Sequence, residues 1–343
     1  MSTPETRLAG GGPAVAPVRR PPTRPTLLRF RELALLPALA ALILIGSFVS
    51  PAFLTRANLT TILTSSAALA LIVLAESLIV ITGKFDLSLE STAGFAPAIG
   101  ALVVLPAASN GFGLELPTFV GLLVVLAIGL AVGFVNGFMV VRLKLNAFIV
   151  TLAMLIILRG MLVGATSGRT LFDLPDAFYT LMVATFLGLP LAVWLAAAAF
   201  AVAGVTLRHH RLGRALYAIG GNAEAARAAG IRVERVTWGV YVLAGLLAAV
   251  GGLVITGYVG AISANQGNGL IFTVFAAAVI GGISLDGGKG TMLGALTGVL
   301  LLGVVQNLLT LAQVPSFWIQ AIYGAIILGS LMIARLTSGA AQT

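Results

Sequence analysis

The chain has 343 residues, of which 59% are hydrophobic and 9% charged, with a mean hydropathy of +1.08. A soluble domain carries about a quarter charged residues, so an aqueous globule is excluded and lipid is the solvent that fits. The net charge of +9 does not point to nucleic acid: Lys and Arg gather in the N-terminal tail and a few connections, with no aromatic-interleaved basic stripe.

Residues 1–32, with Arg7, Arg19, Arg20, Arg24, Arg29 and Arg31 among Pro, Gly and Thr, read as a disordered basic tail. Pro21-Pro22 after Arg19-Arg20 argues against a twin-arginine signal, and the tail is long for a cleavable leader. The first apolar run is therefore expected to be a retained anchor.

Apolar runs then recur to the C-terminus. A hydrocarbon core of about 30 Å needs about 20 apolar helical residues. The expected spans are 33–50, 59–82, 93–107, 117–140, 146–164, 179–206, 237–258, 270–284, 291–312 and 317–335. This predicts an all-α polytopic membrane protein of about ten helices, with a transmembrane domain over 33–336 and a short tail at 337–343. Spans 93–107 and 270–284 are short and rich in Gly or Pro, as broken or re-entrant helices against a protein-lined cavity are.

The basic residues of the tail, Arg142/Lys144, the 207–236 connection, Lys289 and Arg335 fall on one side. Arg56 and Arg169 fall on the other, with Glu115, Asp173 and Asp176. By the positive-inside rule both termini are cytoplasmic. Ile81–Ser88 also echoes Ile280–Asp286, as internal repeats of transporters do, although Gly- and Ala-rich composition alone produces similar matches.

Cysteine is absent, which excludes a disulfide framework or a thiolate nucleophile. His209 and His210 are adjacent in a basic connection and lack metal-ligand spacing. That connection carries Gly213, Arg214, Gly220, Gly221 and then Asn222–Gly230. Asn222 is a good N-cap, Glu224 suits the first turn, and the alanines around Arg227 propagate a helix that Gly230 ends. Its small side chains suit insertion into a groove on another protein; an ordinary loop helix fits the same residues.

Glu224-Ala225-Ala226 followed by Gly230 resembles the docking loop of ABC-importer permeases. Further segments resemble the ribose/xylose/arabinose-type sugar permeases in the same order: Gly83–Ser88, Asn136-Gly137, Asn146–Leu152 with Leu158-Arg159-Gly160, Tyr217–Asn222, Ala278–Gly282 with Gly287–Thr291, and Ser316–Gln320. Lys84-Phe85 and Glu90 depart from that pattern, which leaves fold and class intact but blocks transfer of substrate identity.

The resemblance implies a permease that pairs with a second copy or paralogue in the bacterial inner membrane. A cytoplasmic ABC ATPase using ATP and Mg would dock on Gly213, Arg214, Asn222, Glu224, Ala225, Ala226, Arg227 and Gly230, and a periplasmic sugar-binding protein would deliver the substrate. The permease itself would bind no cofactor. Gly288-Lys289-Gly290-Thr291 lacks the first Gly and the Ser/Thr after Lys of a phosphate loop, so the energy source is a partner.

Glu76 falls inside the second span, where a carboxylate must be paired, protonated or water-facing. It is a candidate for the substrate path, for proton carriage or for a bond to a neighbouring helix. Asp86 ends that span and matches the motif of the sugar permeases this chain resembles, which implies a structural or gating role and places it with Glu76 among the translocation-path candidates. Arg159 is expected near the outer end of the fifth, where snorkelling is cheap. Asn136, Asn146, Thr151, Gln306 and Asn307 are the polar uncharged candidates for a sugar pathway, whereas Gly121, Gly129, Gly133 and Gly137 read as helix packing. A proton-driven transporter using Glu76 is the rival reading. A membrane enzyme would need convergent acid/base or metal ligands, and the chain offers scattered carboxylates.

Overall fold

A computed structural model describes residues 35–315 together with 318, 319, 321, 322, 324, 325, 328, 329 and 332. The expected tails at 1–32 and 337–343 lie outside the described residues, as does much of the expected span at 317–335 with Ser316, Phe317 and Gln320. The described chain is mostly helical. In chain order the helices are α1 (Leu36–Val49), α2 (Arg56–Ile81), α3 (Leu89–Leu102), α4 (Thr118–Gly137), α5 (Ala147–Thr166), α6 (Thr180–Val183) and α7 (Leu191–His209). They are followed by α8 (Arg211–Gly221), α9 (Ala223–Ala228), α10 (Val233–Val259), α11 (Leu270–Ile280) and α12 (Met292–Leu311). Among the described residues six helices are long and apolar enough to cross a membrane: α2, α4 with its extension to Arg142, α5, α7, α10 and α12.

α2 is the axis of the fold. Thr55 caps it by accepting from the Asn58 amide at 3.3 Å, and its 26 residues rise about 39 Å. From Ala67 to Ile81 every residue is buried, as expected of a helix that is apolar all round. α10 lies beside α2, α3 and α4. Backbones of α4 and α10 approach closely because Gly129, Gly133 and Gly245 lack side chains; a Cβ on Gly129 would stand 2.6 Å from the Gly245 carbonyl. Gly121 does the same against Gly100 of α3. These glycines are packing devices.

α3 and α11 have 14 and 11 residues, so they rise only about 21 and 16 Å. Neither alone spans a hydrocarbon core of about 30 Å. α2 and α11 end alike. Gly83 (φ 74°) and Gly282 (φ 82°) each stand two residues past the last helical isoleucine. The Gly83 amide bonds to Val80 O and the Lys84 amide to Ile79 O, while the Gly282 amide bonds to Val279 O and the Ile283 amide to Ala278 O. Both are Schellman closures, so the sequence echo is a matched pair of helix ends.

The expected span at 179–206 begins instead at Leu191. Leu187 (φ 50°) and Gly188 (φ 78°) make a tight turn that pairs Thr185-Phe186 with Leu189-Pro190, and Pro190 then leads into α7. The apolar composition runs on through this hairpin, so hydropathy alone did not separate it from the helix. The 207–236 connection, in which one short helix was expected from Asn222, also holds a second: 211–221 is helical throughout as α8.

Candidate functional site

The 207–236 connection is a compact pair of helices at the end of the fold where α2 and α11 terminate. His210 caps α8 by accepting from the Leu212 amide at 3.2 Å. Gly213 is helical because its bare face backs onto the Leu207 and Thr206 backbone. Asn222 caps α9, accepting from the Ala225 amide at 2.9 Å, and Gly230 (φ 83°) closes it. Ala226 is buried against Ile219 and Val233. Glu224, Ala225 and Arg227 face outward, as does Arg214. Arg227 donates to Glu234 at 2.7 Å, with both side chains about half exposed.

Beneath this unit three glycine segments meet backbone to backbone. The Gly288 amide donates to Ile81 O at 2.9 Å. A Cβ on Gly220 would overlap Ile81 O and the Gly288 nitrogen, and one on Gly287 would lie 2.8 Å from Gly83. Tyr217 adds a hydroxyl bond to Gly290 O at 2.7 Å. A polar cleft of about 470 Å³ opens beside the junction, with Lys84, Lys144, Arg227 and Asp286 in its walls.

Inside the bundle, the structure brings three of the predicted pathway residues together. Asp86 accepts from the Ser88 amide at 2.9 Å, the Ser88 hydroxyl at 2.6 Å and Asn136 Nδ2 at 3.2 Å. Its own amide reaches Glu76 Oε1 at 3.4 Å. Asn136 also donates to Ser88 Oγ at 2.8 Å, and the Tyr241 hydroxyl donates to Phe85 O at 3.0 Å. Glu76, Asp86 and Asn136 are buried, yet Glu76 Oε2 and Asn136 Oδ1 have no partner among the described residues. Two free acceptors in one enclosed cluster leave capacity for a donor.

The other predicted pathway residues lie apart. Asn146 is exposed and caps α5 through the Ile149 amide at 3.2 Å. Thr151 is buried but donates to Ala147 O in its own helix at 2.8 Å. Asn307 forms a reciprocal amide pair with Asn58, at 3.0 and 2.8 Å, while Gln306 is exposed.

A second polar centre holds the short helices. Pro97 has no amide to give to Ala93 O; Gln266 Nε2 donates there instead at 3.0 Å, and to Gly252 O and Thr256 Oγ1 at 3.3 and 3.2 Å. The first turn of α11 needs an acceptor, and Glu90 Oε2 takes the Ile271 amide at 3.0 Å. Arg159 joins the two: Nη1 donates to Gln266 O at 3.1 Å and Nη2 meets Glu90 Oε1 at 3.4 Å. The Arg159 and Glu90 side chains are 18% and 5% exposed. Instead of reaching for an interface from the helix end, Arg159 clamps the 260–269 loop to α3. Glu90 was legible only as a departure from the sugar-permease pattern, and Gln266 was not singled out at all; no sequence rule pairs them across the fold.

Residues 58–335 match the family described as branched-chain amino acid transport system/permease component. The chain is 35% identical over 300 residues to the ribose import permease protein of Escherichia coli (strain K12), covering 86% of this chain and 91% of that one. It is 35% identical over 308 residues to an autoinducer 2 import system permease protein of Klebsiella pneumoniae subsp. pneumoniae, covering 90% and 87%. It is 33% identical over 282 residues to the L-arabinose ABC transporter permease protein of Azospirillum brasilense, covering 82% and 81%. No solved structure gives a significant match. The family match over most of the chain and these relatives lead to one conclusion: the chain belongs to this family of membrane transport permease components and is a transport permease subunit, not an enzyme.

Proposed function

We propose that this chain is the membrane subunit of an ATP-driven importer for a monosaccharide or a related polyol in the bacterial inner membrane. The relatives named for ribose, autoinducer 2 and arabinose support that substrate class. In this reading about ten helical segments leave both termini cytoplasmic, an orientation the basic connections support. A second copy or paralogue completes the pathway, and a periplasmic binding protein presents the sugar. Glu76, Asp86 and Asn136 form the polar station of the path.

The observation that carries the reading is the glycine junction. The exposed α8–α9 unit rests by main-chain contact on the last residue of α2 and on the turn entering α12. Force applied to α9 by a nucleotide-hydrolysing subunit therefore reaches the central helix without passing through flexible side chains. Packed backbones have few intermediate arrangements, so the junction suits a switch between two access states.

The test is reconstitution of the permease with its ATPase and sugar-loaded binding protein in liposomes. Sugar entry that depends on ATP and on all three components supports the proposal. Uptake by the permease alone under a pH gradient contradicts it and favours proton coupling through Glu76.

A further inference from the structure

An open apolar groove of about 720 Å³ lies between α2, α7, α8 and α10. Leu74 and Leu78 form its floor, and among the described residues Arg235 is the one charged side chain in its wall. Arg235 is exposed and has no hydrogen-bond or ion-pair partner among the described residues. Arg208 and Arg211 stand at the same end, on the last turn of α7 and the first residue of α8, and both are exposed.

We propose that this groove holds one anionic phospholipid, with an acyl chain along the apolar wall and the phosphate on Arg235. Depth is the first reason. From Arg235 to Leu247 the lining of α10 rises about 18 Å, close to the half-thickness of a hydrocarbon core of about 30 Å. A second spanning permease would seek a face running through both leaflets. Charge is the second reason: an unpaired arginine at one end of an apolar trough complements a single phosphate there. Gly239 supplies the room, since a Cβ at that position would meet nothing within 4 Å.

The leaflet assignment, cytoplasmic, rests on the orientation proposed above; the groove and its ligand class do not. Leu212 and Leu216 of α8 also line the groove, so an occupied groove braces the helix that precedes the docking element.

The test uses the purified full chain in nanodiscs of equimolar phosphatidylglycerol and phosphatidylcholine, with retained lipid counted by native mass spectrometry. The wild-type chain is expected to keep one phosphatidylglycerol at about fivefold preference. Arg235→Gln, at an exposed residue, removes the preference but keeps a lipid, while Gly239→Leu fills the trough and keeps neither. Equal retention of both lipids by the wild type, unchanged preference in Arg235→Gln, or lipid held by Gly239→Leu overturns the proposal. So does a disulfide between two copies carrying Val202→Cys at the groove's exposed rim, which would make this face a permease–permease interface. No readout depends on transport, so a negative result leaves the importer reading standing.

Discussion

Gly288 donates its amide to the carbonyl of Ile81 at 2.9 Å, tying the turn before α12 to the last residue of the central helix. Gly220 is wedged against both. A methyl group there has no space, and the overlap with backbone cannot be relieved by a side-chain rotation. Gly220→Ala is therefore expected to reduce ATP-driven uptake at least about fivefold, through an overpacking cost of about 1–3 kcal/mol. Uptake assays paired with immunoblots of membrane fractions check this; full uptake at normal abundance contradicts it.

Glu224 and Gly230 separate docking from folding. Glu224 is exposed on α9, so Glu224→Lys reverses a surface charge without disturbing the fold. Gly230 sits at φ 83° with open space around it, so Gly230→Val meets only backbone strain, about 1–3 kcal/mol. Both variants are expected to reach the membrane and to lose uptake. Normal transport in both would remove α9 from the coupling path.

The Arg159–Glu90 clamp predicts a stability effect that is not additive. Arg159→Ala leaves the enclosed Glu90 carboxyl without its partner, and removing one member of a buried pair costs about 3–5 kcal/mol. Glu90→Ala also strips the Ile271 amide of its acceptor. Thermal unfolding in detergent should place the double variant well above the sum of the two losses. A simple sum would mean that the two side chains do not act together.

Glu76 decides between the two energy sources. In the ATP-driven reading its carboxylate is part of a polar station and carries no obligatory proton. Glu76→Gln keeps the acceptor that faces the Asp86 amide and should retain ATP-driven uptake within about threefold, with an unchanged pH profile. Loss of uptake together with loss of its pH dependence would indicate proton coupling.

Much of this architecture was legible because it follows from local rules. The run 59–82 was visible as a span, and Asn222 and Gly230 announced the start and stop of α9 through capping chemistry. Other features depend on partners far away in sequence. α8 is helical despite Gly213, Gly220 and Gly221 because each close backbone contact it makes admits no larger residue at Gly213 and Gly220. Nothing local distinguishes such glycines from loop punctuation. Asn307 was singled out as a polar residue in an apolar span, and its reciprocal bond with Asn58, 249 positions away, could not be read from the sequence. Arg159 looked peripheral by counting along α5, since its carboxylate sits on a half-helix whose depth hydropathy does not report. Glu76 and Asn136 were singled out as polar residues in apolar spans and Asp86 through the motif it matches, and only the turn after Gly83 and the packing of α4 bring them together.

The chain contains no cysteine, so a single thiol can be introduced at Ala225 on the exposed face of α9. Cross-linking of Ala225→Cys in intact cells, with the adduct identified by mass spectrometry, tests the motor connection directly. The expected product is one covalent pair of permease and nucleotide-hydrolysing subunit, with the thiol protected from impermeant reagents added outside. Labelling of that thiol from outside the cell, with no such adduct, would contradict an ATP-driven import mechanism.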